Sequence, residues 1–308
     1  MKKCFSVSDG RIAHSGGGTI PVDIYILPEP EEQTYLTEVL GIDHHTLASS
    51  IDTDETPRIE FEDNYTAIII KYPKNYSADD NFLFRVKSMG IFLFPDRVVI
   101  VVDDELQLFT GKIATKVYTI QDVLLRALAQ TIRHFESHLR VINMCSEEIE
   151  TQLNETYDSS SLLDMFTLEK SLVYYVNALS GNRRVLERMR ASAYRFQFTE
   201  ENLELLEDLQ IENHQFLDQA QVNSQVLSSL VDARAGIINN NLNVLMKNMN
   251  AIVIAVSIPT FFTGVFGMSE LTMICGAENW YIFFPAFFIL MAGLAFFVYW
   301  LIKRFERH

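Results

Sequence analysis

The chain has 308 residues, room for more than one folded part, and its 25 Lys and Arg against 40 Asp and Glu give a formal charge of -15. That balance excludes a nucleic-acid binder, which needs basic surface, and suits a soluble portion that draws cations toward it. Cys4, Cys145 and Cys275 are too scattered for a disulfide framework or a zinc cluster.

The first stretch, MKKCFSVSDGRIAHSGG, holds no apolar run of signal-peptide length, so export of the large N-terminal region is not expected. Gly16 to Gly18 lack the strand and helix context of a phosphate loop and read as a flexible turn. Residues 1–118 read as a mixed α/β domain. Thr34 to Leu47 suits a helix, Tyr65 to Pro73 a strand, and Phe82 to Asp104 two or three more strands with a turn at Pro95 and Asp96.

Beyond Tyr118 the pattern becomes helical. Gln121 to Leu153 forms one run and Ser160 to Ala191 a second, in which Tyr174 and Tyr175 read as core packing. Thr199-Glu200-Glu201 opens a third. This third run meets no proline before Pro259, so one helix is expected from about Glu200 through the following apolar segment. At 1.5 Å per residue it is about 100 Å long and needs neighbouring helices or partner subunits. His134 and His138 have the i,i+4 spacing that suits a metal, but without a third ligand they, like His214, read as packing or surface residues. The seven histidines form no His-Glu-x-x-His pattern and no Ser-His-Asp arrangement, so enzyme chemistry is not expected.

Two stretches, Asn248 to Ser269 and Asn279 to Ile302, contain no charged residue. Each exceeds the about 20 residues a helix needs to cross a hydrocarbon core of about 30 Å. Lys247 precedes the first, and Lys303, Arg304 and Arg307 follow the second, while the segment between them carries Glu270 and Glu278 and no basic residue. Basic flanks mark the cytoplasmic side, so both termini are expected there, in a cell-membrane protein of two spans. Trp280, Tyr281, Tyr299 and Trp300 stand where interfacial aromatics belong. The expected organisation is an α/β domain over 1–118, a helical and stalk region over 119–247, a first span over 248–268, an external loop over 269–279, a second span over 280–302 and a basic tail over 303–308.

One face of the long helix, followed in alternating steps of three and four, reads Asp232, Gly236, Asn239, Asn243, Met246, Asn250, Val253, Ser257, Thr260, Gly264, Gly267. A seam of this spacing normally packs partner helices through apolar residues. This one is largely polar or small, which is costly in a dry core and sensible around water. Amide and hydroxyl oxygens can accept from the water shell of a hydrated cation, and Met246 and Val253 offer hydrophobic constrictions. The rival account, in which small and polar residues join membrane helices, fits less well a pattern that begins before the apolar segment. Met249 competes with Asn250 for the inward position. Two spans cannot enclose water, so a water-filled path requires an oligomer. The second span, WYIFFPAFFILMAGLAFFVYWLI, has no polar stripe and suits a lipid-facing position.

With Gly267-Met268-Ser269 at the outer end of the first span, the chain resembles the CorA-type magnesium transporter family, the two-span Gly-Xaa-Asn transporters. The resemblance covers essentially the whole chain and is sharpest from Asp232 to His308. It implies a cytoplasmic α/β domain, a stalk helix, two C-terminal transmembrane helices and a funnel-shaped homopentamer in the cell inner membrane. It further implies that Gly267, Met268 and Ser269 form the external entrance, where copies of Glu270 could offset the serine by concentrating cations. Asn243, Met246, Asn250, Val253, Ser257, Thr260 and Gly264 would then line the pore, and Asp208 and Asp232 would bind metal. Asp103 and Asp104 are loose candidates for the partner of Asp208. The family signature is Gly-Met-Asn, so Ser269 departs from it, and the loop that follows lacks the usual proline. The implied function is passive, potential-driven Mg2+ uptake gated by intracellular Mg2+. The alternatives are transport of Zn2+, Co2+ or Ni2+, or a non-conducting metal sensor or scaffold. The implied partners are divalent cations, membrane lipids and further copies of the chain.

Overall fold

The structure is a computed structural model that describes residues 1–14, 18–77, 80–155, 159–266 and 280–305. It divides into two units, Met1–Val231 and Asp232–His308.

Alternation of apolar side chains builds the first unit. Its strands are β1 (Lys2–Ser8), β2 (Arg11–Ala13), β3 (Ile20–Ile26), β4 (Arg58–Phe61), β5 (Thr66–Pro73), β6 (Val86–Leu93) and β7 (Val98–Val102). They form one sheet in the order β2-β1-β3-β7-β6-β5-β4, in which β3 and β7 run parallel and the other pairs antiparallel. In β7, Val98, Ile100 and Val102 enter one core while Val99 and Val101 enter another on the opposite face. Ile68, Ile70 and Tyr72 of β5 join the first, and Ala67 the second. A sheet covered on both faces needs nearly continuous apolar strands, which is what VVIVV supplies. Phe82 to Asp104 gives two strands, β6 and β7, closed at Pro95 and Asp96 by the Phe94 amide donating to the Arg97 carbonyl at 3.0 Å.

The smaller core lies under short helices. The helix expected over Thr34 to Leu47 is interrupted. α1 (Pro30–Thr34) continues as a π-helical turn over Tyr35–Val39, and α2 (His44–Ser49) starts afresh. The break falls at Gly41, whose φ of +72° is ready for glycine and strained for other residues. Asp43 then caps the new start, accepting from the Thr46 amide at 3.0 Å. A Cβ on Gly90 of β6 would lie 2.0 Å from Ser50 Oγ, so glycine is what lets the end of α2 sit on the sheet.

The larger core is shared with α3 (Ile120–Glu155), α4 (Ser159–Ala191), the short α5 (Ala193–Phe196) and the first part of α6 (Glu200–Phe266), through Leu128, Phe135, Leu172, Tyr175, Phe196 and Leu206 among others. α3 and α6 start on matching capping boxes. Asp122 Oδ2 accepts from the Thr119 amide at 3.0 Å and Thr119 Oγ1 accepts from the Asp122 amide at 3.2 Å. Thr199 and Asn202 exchange the same pair of bonds at 3.2 Å, and Asn202 Nδ2 donates to Asp122 Oδ1 at 2.7 Å, tying one helix start to the other. β5 extends beyond β4, and there the Asn182 side chain of α4 stands in for a strand. It accepts from the Lys71 amide and donates to the Lys71 carbonyl, both at 2.8 Å.

His134 and His138 are packing residues. Their rings lie 4.5 Å apart, and His138 Nδ1 is 2.7 Å from the hydroxyl of the fully buried Tyr175. Burial, then the neighbouring His134, holds the His138 pKa down to about 4. Tyr175 is core as expected, whereas Tyr174 is 38% exposed.

The second unit contains α6 from Asp232 onward and α7 (Trp280–Phe305). Both helices are long and apolar enough to cross a membrane.

Candidate functional site

Helix geometry places the polar seam. In the part of α6 that belongs to the second unit, Ala251 and Ala255 are buried, at 3% and 5% exposure, and Ile258 and Pro259 are half-buried. Met246 and Val253 are each 59% exposed, and Asn243, Asn250, Ser257, Thr260 and Gly264 are exposed as well. At about 100° per residue, Val253, Ser257, Thr260 and Gly264 centre about 180° from the Ala251–Ala255 stripe. The helix thus has a covered back of small residues and an open front that carries the seam. α7 is half-buried along Phe287, Met291, Leu294, Ala295 and Val298, at helical spacing. Small residues on α6 permit close helix approach where no hydrophobic drive exists.

The hydroxyls on the front are oriented by the helix itself. Ser257 Oγ donates to the Val253 carbonyl at 2.7 Å, and Thr260 Oγ1 donates to the Val256 carbonyl at 2.8 Å. With the proton committed to the backbone, each oxygen keeps its lone pairs for an outside donor. Such a surface can accept hydrogen bonds from outside donors without carrying net charge. A Cβ on Gly264 would meet nothing within 4 Å, so the front is open at that level too. Pro259 lies inside α6 and cannot donate to the carbonyl of Ala255. Met249, at 57% exposure, is as open as Met246, and Asn250 is exposed too, so exposure does not choose between Met249 and Asn250.

The acids expected to bind metal stand apart. Asp208 is exposed on α6, beside Glu207, which pairs with Arg190 of α4 at 3.0 Å. Asp232 is exposed at the start of the second unit. Among the described residues no group of three or more His, Cys, Asp and Glu is placed to hold a metal ion. Asp103 and Asp104 both pair with Lys87, the second at 3.0 Å, so one ammonium already answers both carboxylates. Gly267, Met268, Ser269 and Glu270 lie outside the described residues. The buried Ala251–Ala255 stripe was not singled out in the sequence, although small residues one turn apart in an apolar helix are its signal.

Residues 23–304 match the family model of the CorA-like Mg2+ transporter protein. The chain belongs to the CorA-like Mg2+ transporter family. Membership places it among divalent-cation transporters and not among enzymes. The cobalt/magnesium transport protein CorA of Methanocaldococcus jannaschii is 26% identical over 258 residues, covering 79% of this chain and 77% of the relative. The fold agrees with the complete structure of the CorA magnesium transporter from the same organism. That match has a TM-score of 0.76 and 21% identity over 100% of this chain and 98% of the other. The full-length CmaX protein shares the fold at a TM-score of 0.70 and 15% identity, over 99% of this chain and 97% of that one. The two apolar helices, α6 in its second part and α7, fit the two-span arrangement of a CorA-like membrane protein.

Proposed function

We propose that the chain forms a homopentameric channel through which Mg2+ enters the cell passively, driven by the membrane potential, and that intracellular Mg2+ closes it. The observation that carries this is the two-faced α6: a buried Ala251–Ala255 back and an exposed front on which Asn250, Ser257 and Thr260 alternate with Met246, Val253 and Gly264. Five copies of α6 with their fronts inward enclose a water-filled path, with α7 outside against lipid and both termini cytoplasmic. Residues 1–118 and 119–247 make the cytoplasmic part, 248–268 and 280–302 the spans, 269–279 the external loop and 303–308 the tail.

Mg2+ releases its water reluctantly and prefers oxygen, so an uncharged ring of acceptors suits its hydrated form. Gly267 and Met268 with Ser269 and Glu270 receive the ion outside. It then passes Gly264, Thr260, Ser257, Val253 and Asn250, and Asn243 and Met246 control the inner exit. Among the described residues neither Asp208 nor Asp232 belongs to a group of three possible metal ligands, so a site at either would need carboxylates from another copy. Mg2+ held there stabilises the closed assembly only because it binds the closed state more tightly than the open one.

A second cation has specific support: the 26%-identical relative is called a cobalt/magnesium transport protein, so Co2+ is the alternative cargo to rank first, ahead of Zn2+ and Ni2+. The oxygen-rich front favours Mg2+ over the softer ions. The deciding experiment is Mg2+ influx into dye-loaded liposomes under an inside-negative potential, comparing the wild type with Ser269→Asn and with protein-free vesicles. Wild-type influx above the protein-free rate is expected. Influx by Ser269→Asn alone would overturn Mg2+ conduction by this chain and favour a metal sensor or another transported cation.

A further inference from the structure

Four cations of this acidic chain converge on one cleft of the first unit. The cleft, of about 700 Å³, lies between the segment around Thr53 to Pro57, strands β5 and β6, and helix α4. Lys71, Arg85, Lys170 and Arg184 line it, together with Tyr174 and Asn177. Elsewhere in the unit Lys2, Arg58, Lys74, Lys87 and Arg190 each have a carboxylate within 4 Å, while Arg11, Lys116, Arg126, Arg133, Arg188 and Arg195 stand singly without an ion pair among the described residues. Among the described residues the four cleft cations form no such ion pair.

Lys71 is the most informative of them. Its side chain is carried inward by β5 and it is only 8% exposed. Nζ donates to the Thr53 carbonyl at 2.6 Å and to Ser88 Oγ at 2.9 Å, both uncharged acceptors. An ammonium has three N–H groups, so one remains for a ligand. Burial lowers its pKa despite the pull of Asp52, Asp54 and Glu55, as expected for a charge without a contact partner. Two carboxylates stand on the rim. Glu55 is already taken by Arg58 at 2.6 Å and by Ser49 at 2.9 Å, which leaves Asp54 of the lining and the nearby Asp52 as opposing charges to the four cations. The balance inside the cleft is therefore positive. Tyr174 adds an aromatic ring that is 38% exposed and is approached by the Lys170 ammonium at 5.9 Å.

We propose that this cleft binds a nucleotide, its phosphates on Lys71, Arg85 and Arg184 and its base against Tyr174. Guanidinium and ammonium groups supply charge-assisted hydrogen bonds to phosphate oxygens, and the ring supplies a stacking surface. The volume is in the range of pockets for ligands of this size. All of these residues belong to the first unit, so the site does not rest on the ion-pathway reading.

The test is calorimetric titration of the full-length protein in detergent, in magnesium-free buffer with EDTA, using ATP, inorganic triphosphate and inorganic phosphate. The expected result is one ATP per chain, bound more tightly than triphosphate, with phosphate weakest. Arg85→Gln with Arg184→Gln, both at exposed positions, should weaken ATP at least about tenfold with no change in the unfolding midpoint. Tyr174→Ala should weaken ATP and leave triphosphate unchanged. Three results would each overturn the assignment: no saturable ATP binding, the same affinity in the double variant, or triphosphate binding as tightly as ATP.

Discussion

Thr260→Val is the sharpest probe of the front of α6, because it keeps the shape of the side chain and removes one oxygen from each copy. In the wild type that oxygen donates to the Val256 carbonyl at 2.8 Å and offers its lone pairs outward. A hydrogen bond to the water shell of a passing ion contributes about 0.5–1.5 kcal/mol net. On the proposed path, losing two of them as the ion crosses a ring of Thr260 side chains would raise the barrier by about 1–3 kcal/mol, or about 5- to 150-fold in rate. Thr263→Val is the matched control. Thr263 Oγ1 makes the same kind of bond, to the Thr260 carbonyl at 2.9 Å, but it lies about 90° around the helix from the centre of the seam. Both variants lose one hydroxyl and one bond to the helix, so any general effect on the helix cancels in the comparison. The assay is the initial rate of Mg2+ influx into liposomes with matched protein content. Thr260→Val should show the loss, and Thr263→Val a change of less than about twofold, the usual range for an exposed side chain away from a special feature. Equal losses in the two variants, or none in Thr260→Val, would refute the assignment of the seam to the ion path.

Other outcomes follow from the same structure. Asn182→Ala leaves the Lys71 amide and carbonyl without partners inside the fold, at a cost of about 2–6 kcal/mol, to be read from chemical unfolding of the full chain. A cost under about 1 kcal/mol would mean that water replaces the amide. His138, held down to about 4 when folded, stays neutral where the unfolded chain takes up a proton near pH 6.5. Its contribution is therefore complete above about pH 6.5 and is lost as pH falls toward 4, about 3 kcal/mol in all. His138→Phe should flatten that part of the stability profile, which denaturation midpoints across the range will show. Ala255→Leu overfills a buried position and should destabilise the second unit by about 1–3 kcal/mol, seen as a lower unfolding temperature in detergent. Glu270→Gln should raise the Mg2+ concentration for half-maximal influx, and the difference should shrink as salt screens the entrance; no effect at low ionic strength would exclude that role.

The most legible parts of the fold were those where one pattern dominates. β5 and β7 showed as continuous apolar runs because both faces of the sheet are covered, and α3 and α4 appeared within two residues of their ends. β1 to β4 were not singled out. RIEF is four residues long with one fully buried side chain, and KKCFSVS is polar at its exposed start, so each gains its strand character from the neighbour it pairs with. The break at Gly41 was hidden because the flanking segments both suit a helix, and a single positive φ decides between one helix and two. At the candidate site, the polar front could be read from spacing alone. The covered back could not, since Ala251 and Ala255 are ordinary helix formers until a structure shows them buried. The cations of the cleft were scattered from position 71 to 184, and only the docking of α4 on β5 brings them together.

The two stripes of α6 make opposite demands on side chains. The back must stay small so that another helix can approach, while the front must carry oxygen and remain uncovered within a single chain. An uncovered polar front in an apolar helix is unstable against hydrocarbon, so exposure there is a reason for assembly and not a defect of the subunit. Two spans per chain cannot shield that front, whereas the proposed ring of α6 helices, with α7 outside, would cover it and leave water along the axis. The position of Ser257 and Thr260 then has a chemical consequence. Their protons are spent on backbone carbonyls, so in the proposed ring each hydroxyl oxygen accepts and does not donate. In the proposed ring these acceptors suit the hydrogen-bearing water shell of a cation, with no carboxylate required at Ser257 or Thr260.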